Sequence, residues 1–139
     1  MTTTRSRKAQ QAHAPNAGLL WLLYLADAGL LVASGLIHLH LWDIAYRHVK
    51  VLDVLFVVQP IAAVLAAVAV VVTRRVLVLA AAALLMAGTI VGFLLARTSG
   101  IFGFHLTFSS GLAWWALIIE AAAVVLLSVT AMTRARSKR

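Results

Sequence analysis

Apolar residues fill four long segments of this chain, and short polar stretches separate them. The segments cover residues 18–42, 51–73, 76–97 and 110–132. Each has the length of about 20 residues or more that an α-helix needs to cross a hydrocarbon core of about 30 Å, where a helix satisfies its own backbone polar groups. The pattern predicts an all-α, polytopic membrane protein whose single domain, residues 18–132, is a bundle of four transmembrane helices.

The composition is typical of a protein that lies in a membrane. Of the 139 residues 63% are hydrophobic, and 12 are basic whereas only 4 are acidic. A soluble domain has about 45–50% apolar and about 25% charged residues. The chain has no cysteine, which excludes thiolate nucleophiles and cysteine-ligated metal or iron–sulfur sites.

The basic residues lie mostly on one side of the predicted membrane. Only Arg47, Lys50 and Arg97 lie on the other side, and the first side has Arg5, Arg7, Lys8, Arg74, Arg75, Arg134, Arg136, Lys138 and Arg139. The positive-inside rule therefore predicts a multi-pass protein of the plasma membrane, with loops 43–50 and 98–109 outside. Both termini, the basic tails 1–17 and 133–139, are then cytoplasmic. The positions of the basic residues are explained by the orientation of the helices in the membrane. We therefore predict the lipid bilayer as a partner of this protein, and we do not predict nucleic acid as one.

Two carboxylates fall near the middle of predicted spans, Asp27 in the first and Glu120 in the fourth. No lysine or arginine shares their depth, and an ionised carboxylate at that depth costs several kcal/mol unless it has a partner. Helical spacing puts Asp27, Ser34 and His38 on one stripe, and it puts Glu120 on a face of alanines. Both carboxylates are therefore expected to face the bundle interior, as candidate proton or ion sites.

Small residues recur at every fourth position of the third segment, at Gly88, Gly92 and Ala96. Such a face lets helix backbones approach closely in lipid, so we expect packing there, either within the chain or between copies in a homo-oligomer. In the second segment Gln59 precedes Pro60, which predicts a kink and a hydrogen bond from Gln59 inside the bundle.

Histidines and charged residues gather where the first segment ends, in the string GLIHLHLWDIAYRHVK, residues 35–50. One interpretation is an interfacial belt of bases and aromatic anchors, and the other is a ligand or partner site that opens outward. The connector SGIFGFHLTFSSG is expected to form a turn or short helix over this opening, with Ser109 or Ser110 capping the fourth helix. The candidate site residues are His38, Tyr46, Arg47, His48, Gln59 and His105.

Three chemistries are open to such a site. Haem b is one, ligated by His38 and His105 within the bundle. A divalent metal is another, although His40 lies about 200° around the helix from His38, so the two do not bind one ion from a regular helix. A quinone or other lipophile, hydrogen-bonded to His38 and Tyr46, is the third. The candidate metal ligands are His38, His40, His48 and His105.

The strings GLIHLHLWDIAYRH, LDVLFVVQPIAAVLA and GLAWWALIIEAAAVVLL resemble an uncharacterised group of small four-helix membrane proteins common in actinobacteria. The pattern of that group has a His-Leu-His-Leu-Trp end to its first helix, a Tyr-Arg-His loop, a glutamine within its second helix and a glutamate in its last helix. The resemblance implies the fold and the topology, and it implies no activity. The matching positions are His38, His40, Trp42, Tyr46, Arg47, His48, Gln59 and Glu120.

These observations favour a non-enzymatic accessory or ligand-binding component, alone or in a larger membrane complex, because the chain has no metalloprotease, nucleophile-elbow or phosphate-loop motif. A first alternative is a proton-coupled small-molecule carrier in which Glu120 or Asp27 changes its protonation. The one-sided distribution of bases then favours a parallel dimer over an antiparallel one. A second alternative is a haem- or metal-binding redox component.

Overall fold

Four long helices form the protein. The computed structural model describes residues 17–106 and 110–137, so most of the two basic tails and Ser109 lie outside the described residues. All four helices are long and apolar enough to cross a membrane, which confirms the predicted all-α, multi-pass bundle. The helices are α1 (Ala17–Leu41), α2 (Leu52–Thr73), α3 (Val76–Thr98) and α4 (Gly111–Arg136).

The helix ends follow local backbone chemistry. At the start of α4 the Ser110 hydroxyl accepts a hydrogen bond from the Ala113 amide at 3.3 Å, which is the cap expected there. At the end of α2 Arg74 adopts a left-handed conformation with φ 51°, and its amide donates to the Val70 carbonyl at 3.1 Å. The fourth helix differs from the prediction because it continues past residue 132 to Arg136, so residues 133–136 are helical.

The connectors define two ends of the bundle. We call the end with residues 42–51 and 99–106 the histidine-rich end. We call the opposite end, which has Arg74, Arg75, Arg134 and Arg136, the arginine-rich end. At the histidine-rich end α1 continues into one π-helical turn, Trp42–Tyr46, which is closed by a bond from the Arg47 amide to the Trp42 carbonyl at 2.9 Å. This wider turn decides which side chains after Leu41 face the bundle.

The apolar core fills the half of the bundle next to the arginine-rich end. Its large members come from all four helices and have almost no exposed surface. They pack against one another in the interior of this half. An open apolar groove lies on its surface, beside Leu30 of α1 and Val125 of α4. The principal core side chains are Leu20, Tyr24, Leu31, Val70, Leu79, Met86 and Leu127.

Helices α1 and α2 approach each other closely at Gly35. A methyl group placed on Gly35 would lie 3.2 Å from the Pro60 Cα atom and 3.4 Å from the Ala63 Cβ atom. Glycine at this position therefore sets the distance between the two backbones. Ser34 lies next to Gly35, and the same close approach brings it to α2.

The small-residue face of α3 does not pack against another helix of this chain in the way we expected. A Cβ atom added at Gly88 or at Gly92 would meet no atom of another described residue within 4 Å, apart from its chain neighbours and the backbone of α3 itself. The reason is that α2 is held against α1 at Gly35 and leaves space beside α3. The prediction of packing within the chain is therefore wrong at these two glycines, and packing between copies stays a prediction.

Candidate binding cavity with a polar inner end

The space beside α3 is a cavity of about 460 Å³ in the half of the bundle next to the histidine-rich end. Most of its lining is apolar, from α2, α3, α4 and the connector that follows α3. The cavity exists because several lining positions have little or no side chain to fill it. Those positions are Ala62, Gly88, Gly92, Ala113 and Ala116.

The cavity opens sideways between α2 and α3. Leu55 and Val58 on α2 and Leu84 on α3 line it, and these three side chains are themselves exposed on the surface of the bundle. In a membrane this surface contacts the hydrocarbon chains of lipids. A lipophilic molecule therefore has a path into the cavity that does not pass through water.

Three polar side chains from three helices meet at the inner end of the cavity. The Ser34 hydroxyl of α1 donates to the Oε1 atom of Glu120 on α4 at 3.2 Å. The Nε2 atom of Gln59 on α2 donates to the Ser34 Oγ atom at 3.1 Å. All three residues are buried, with Ser34 0%, Glu120 2% and Gln59 7% exposed. Ser34 is therefore the bridge between the amide and the carboxylate.

His38 also lies at this inner end, and its contacts determine which ring nitrogen holds the hydrogen. Its Nδ1 atom lies 3.0 Å from the Ser34 carbonyl oxygen. A carbonyl oxygen only accepts, so Nδ1 must hold a hydrogen and donate it. The Nε2 atom lies 3.5 Å from the Glu120 Oε1 atom. These two atoms attract each other only when a proton lies on one of them, so His38 and Glu120 are placed to hold one proton between them.

Aromatic rings close the cavity toward the histidine-rich end. The Tyr46 ring stacks on Phe56 with a centroid distance of 4.4 Å, and Phe104 meets Tyr46 edge-on at 6.0 Å. The π-helical turn puts Tyr46 in this position. We call Tyr46, Phe56 and Phe104 the aromatic cap.

The connector after α3 folds back over the bundle because of a tight turn. The amides of Ile101 and Phe104 each donate to the carbonyl of the other residue at 2.8 Å. Phe102 and Gly103 between them both have positive φ angles, 51° and 78°. A further bond from the Leu106 amide to the Ala96 carbonyl, at 2.8 Å, holds the connector against α3. The connector therefore forms a turn over the histidine-rich end of the bundle, which is one of the two forms expected.

Several of the candidate site residues from the sequence lie away from this cavity. Arg47 points along its own helical turn, where its Nη1 atom lies 3.2 Å from the Asp43 Oδ1 atom in an exposed ion pair. His40 and His48 are exposed. His105 is also exposed, and its Nε2 atom lies 3.1 Å from the Thr98 carbonyl oxygen. The predicted residues that do line the cavity are His38, Tyr46, Gln59 and Glu120.

The candidate metal and haem ligands are not brought together. Within residues 17–106 and 110–137 no group of three or more His, Asp or Glu side chains has a geometry that could hold a metal ion. Of the haem pair, only His38 lines the cavity, while the His105 ring lies against the carbonyl at the end of α3. The structure does not position these residues as one ligand set.

Asp27 lies apart from this cavity, among the core side chains. It is 0% exposed, and neither of its carboxylate oxygens has a hydrogen-bond partner within the described part of the chain. The Tyr24 hydroxyl also lacks a partner there. Thr130 is buried as well, but its hydroxyl donates to the Leu126 carbonyl at 2.9 Å. The two interior carboxylates therefore belong to two different places in the bundle.

The substitution Asp27→Asn is expected to stabilise the fold by about 1 kcal/mol or more, because it keeps the shape of the side chain and removes a buried group that must either stay charged or take up a proton. The measurement is the free energy of unfolding from denaturant titration in mixed micelles. The control is Asp43→Asn at an exposed ion pair, where little change is expected. A destabilised Asp27→Asn variant would show that the charge has a partner in the folded protein.

The substitution Ser34→Ala is expected to cost about 1–2 kcal/mol of unfolding free energy, because it leaves both Gln59 and Glu120 without the bridging hydroxyl. Ser128→Ala is the matched control, since that hydroxyl is exposed and donates only to the Val124 carbonyl of its own helix. The same titration measures both variants. Equal stability of the two would contradict a structural role for the bridge.

Sequence reasoning missed part of the site. Phe56 and Thr89 line the cavity and were not singled out. For Thr89 the signal was present, because it lies between Gly88 and Gly92 and is one of the few polar residues in the middle of α3. For Phe56 there was none, because a phenylalanine in an apolar span usually faces lipid or core.

A scan against models of known protein families gave no match to this chain, and neither curated proteins nor solved structures matched it.

Proposed function

We propose that this protein is a non-enzymatic, ligand-binding component of the plasma membrane that takes a lipophilic small molecule from the bilayer into its cavity. The apolar body of the ligand occupies the space beside α3, and its polar group reaches the inner end formed by Ser34, Gln59, His38 and Glu120. The observation that supports this best is the combination of an apolar, laterally open cavity with convergent polar groups at one end only.

The dimensions of the cavity support the proposal. Small-molecule sites have volumes of about 300–1,000 Å³ and are mostly apolar, with a few polar groups that fix the orientation of the ligand. The cavity of about 460 Å³ lies within this range. The groove in the arginine-rich half is more open and is lined by apolar residues alone, so it lacks the polar inner end of the proposed site.

The distribution of bases supports an orientation with both termini in the cytoplasm. Arg74, Arg75, Arg134 and Arg136 lie at the arginine-rich end, and the positive-inside rule assigns that end to the cytoplasm. The aromatic cap then faces the exterior. The side opening lies at the level of the hydrocarbon in either orientation, so ligand binding does not depend on this assignment.

A proton-coupled carrier is the second candidate, and the contact between His38 and Glu120 favours it. A ligand that displaces their shared proton would couple its own binding to proton release. Asp27 has no part in this version because it does not line the cavity. Flux of a bound ligand in proteoliposomes, driven by a proton gradient and lost in Glu120→Gln, would distinguish a carrier from a binding component.

The proposed function is tested by titrating the purified protein with three probes that share one apolar cage, namely 1-adamantylamine, 1-adamantanol and 1-adamantanecarboxylic acid. Isothermal titration calorimetry in mild detergent measures the affinity and the stoichiometry. We expect saturable binding of at least one probe, with one molecule per chain. If no probe binds saturably, the proposal fails.

A further inference from the structure

We infer that the ligand of this cavity is a lipophilic amine, held at the inner end through its N–H groups. This inference rests on the proposed function, and it is carried by the hydrogen-bonding capacity that the inner end leaves unused.

The donors at the inner end are mostly occupied. The Ser34 hydroxyl donates to Glu120, and one N–H of Gln59 donates to Ser34. The Nδ1 hydrogen of His38 lies against the Ser34 carbonyl. The Thr89 hydroxyl donates to the Met86 carbonyl of its own helix at 2.7 Å. A single N–H of Gln59 is the donor left over at this level.

The acceptors, in contrast, have capacity to spare. The Gln59 Oε1 atom is buried and has no hydrogen-bond partner within the described residues. The Glu120 carboxylate can accept about four hydrogen bonds, of which Ser34 and Thr89 supply at most two. With its hydrogen fixed on Nδ1, neutral His38 also offers Nε2 as an acceptor. The inner end therefore presents three acceptors on three side chains.

An ammonium group matches these acceptors in its number of hydrogen-bond donors and in the sign of its charge. It has three N–H donors, which equals the number of acceptors, and its charge is opposite to that of the Glu120 carboxylate. Buried charges are stable only when they are paired and hydrogen-bonded, and an ammonium beside Glu120 meets both conditions. On binding, it replaces the proton that His38 and Glu120 otherwise share.

Other ligand classes match less well. A carboxylic acid brings a second negative charge to Glu120, and no lysine or arginine among the described residues lines the cavity to offset it. A quinone offers only acceptors and so leaves the Gln59 and Glu120 oxygens without donors, which disfavours the quinone considered from the sequence. An alcohol supplies one donor for three acceptors.

The three adamantane probes test the inference because only the polar group differs among them. We expect 1-adamantylamine to bind about tenfold or more tightly than the alcohol and the acid. A fourth probe, the N,N,N-trimethyl-1-adamantylammonium ion, has the charge without the N–H groups and is expected to bind more weakly than the primary amine. If the alcohol or the acid binds as tightly as the amine, the amine inference fails while the cavity proposal stands; if none binds, both fail.

Two variants test whether the amine binds at the inner end. Glu120→Gln is expected to weaken the binding of 1-adamantylamine about tenfold or more and to change the binding of 1-adamantanol much less. Asp27→Asn, which removes the other buried carboxylate, is the control and is expected to keep the affinity for the amine. Should Glu120→Gln not fold, Gln59→Met tests the same end through the loss of the Oε1 acceptor. Unchanged amine affinity in a folded variant of either residue overturns the inference.

The ammonium group of an aminophospholipid has the same chemistry as a free amine, and the titration can separate the two sources. Binding of 1-adamantylamine is repeated in nanodiscs of phosphatidylcholine with and without phosphatidylethanolamine. Equal affinity in both supports a free amine as the ligand. Competition by phosphatidylethanolamine would contradict a free amine and assign the site to the lipid headgroup.

Discussion

Replacing Gly35 with leucine is expected to separate α1 from α2 and to lower the free energy of unfolding by about 2 kcal/mol or more. A Cβ atom at this position would lie 3.2 Å from the Pro60 Cα atom, which belongs to the backbone and cannot rotate away. The rest of a leucine side chain would need space that α2 occupies. The same displacement would pull Gln59 from Ser34, because both contacts depend on this approach of the two helices.

The matched control for this variant is Gly29→Leu. Gly29 lies on the same helix, is exposed, and has no other atom within 4 Å of an added Cβ. Denaturant titration in mixed micelles, together with size-exclusion chromatography, measures both variants. We expect a large loss of stability for Gly35→Leu and little change for Gly29→Leu. Equal stability would show that the helices do not meet closely at Gly35.

Replacing Gly92 with phenylalanine is expected to abolish ligand binding while the protein stays folded. Gly92 lines the cavity, and an added Cβ atom meets nothing within 4 Å, so the ring enters space that is already empty. Filling an apolar cavity with an apolar group removes no existing contact and buries additional apolar surface. The ring and a ligand cannot occupy this space together, so the affinity for 1-adamantylamine should fall about tenfold or more.

Gly29→Phe is the control for the phenylalanine variant, since it adds the same ring on an exposed side of α1. Its affinity for 1-adamantylamine is expected to equal that of the unmodified protein. Calorimetry measures the affinity, and the unfolding titration verifies that both variants are folded. Unchanged binding by a folded Gly92→Phe variant would mean that the ligand lies elsewhere.

The sequence was sufficient to predict which residues face the interior. Apolar length alone predicts the four helices, and helical periodicity alone puts Asp27, Ser34 and Glu120 inside. Gln59 could be assigned to the bundle interior because its amide costs free energy in lipid without a partner. These inferences need only the periodicity of a single helix and the cost of placing a polar side chain in lipid.

The cavity could not be predicted in the same way, because it depends on how far apart two helices stand. Glycines at positions 88 and 92 are equally compatible with a close helix contact and with an empty space. The contact of Gly35 with Pro60 decides between them, since it holds α2 against α1 and leaves α3 uncovered at its glycines. A sequence pattern on α3 contains no information about this distant contact.

The positions of the side chains at the rim of the site could not be predicted for a different reason. One π-helical turn after Leu41 brings Tyr46 over the cavity and leaves Arg47 beside Asp43 on the surface. A single additional residue in a helical turn rotates every later side chain by about 100°. No residue type in the segment WDIAY signals such a turn.

Photolabelling is the most direct test of the claim that the cavity binds a lipophile. A diazirine derivative of 1-adamantylamine is added to the reconstituted protein, activated by light, and located by mass spectrometry. We expect label on cavity residues such as Gln59, Thr89 and Glu120, with loss of that label when 1-adamantylamine is present in excess. Label that is spread over exposed residues such as Leu77 and Val125, and that excess 1-adamantylamine does not reduce, would contradict the account.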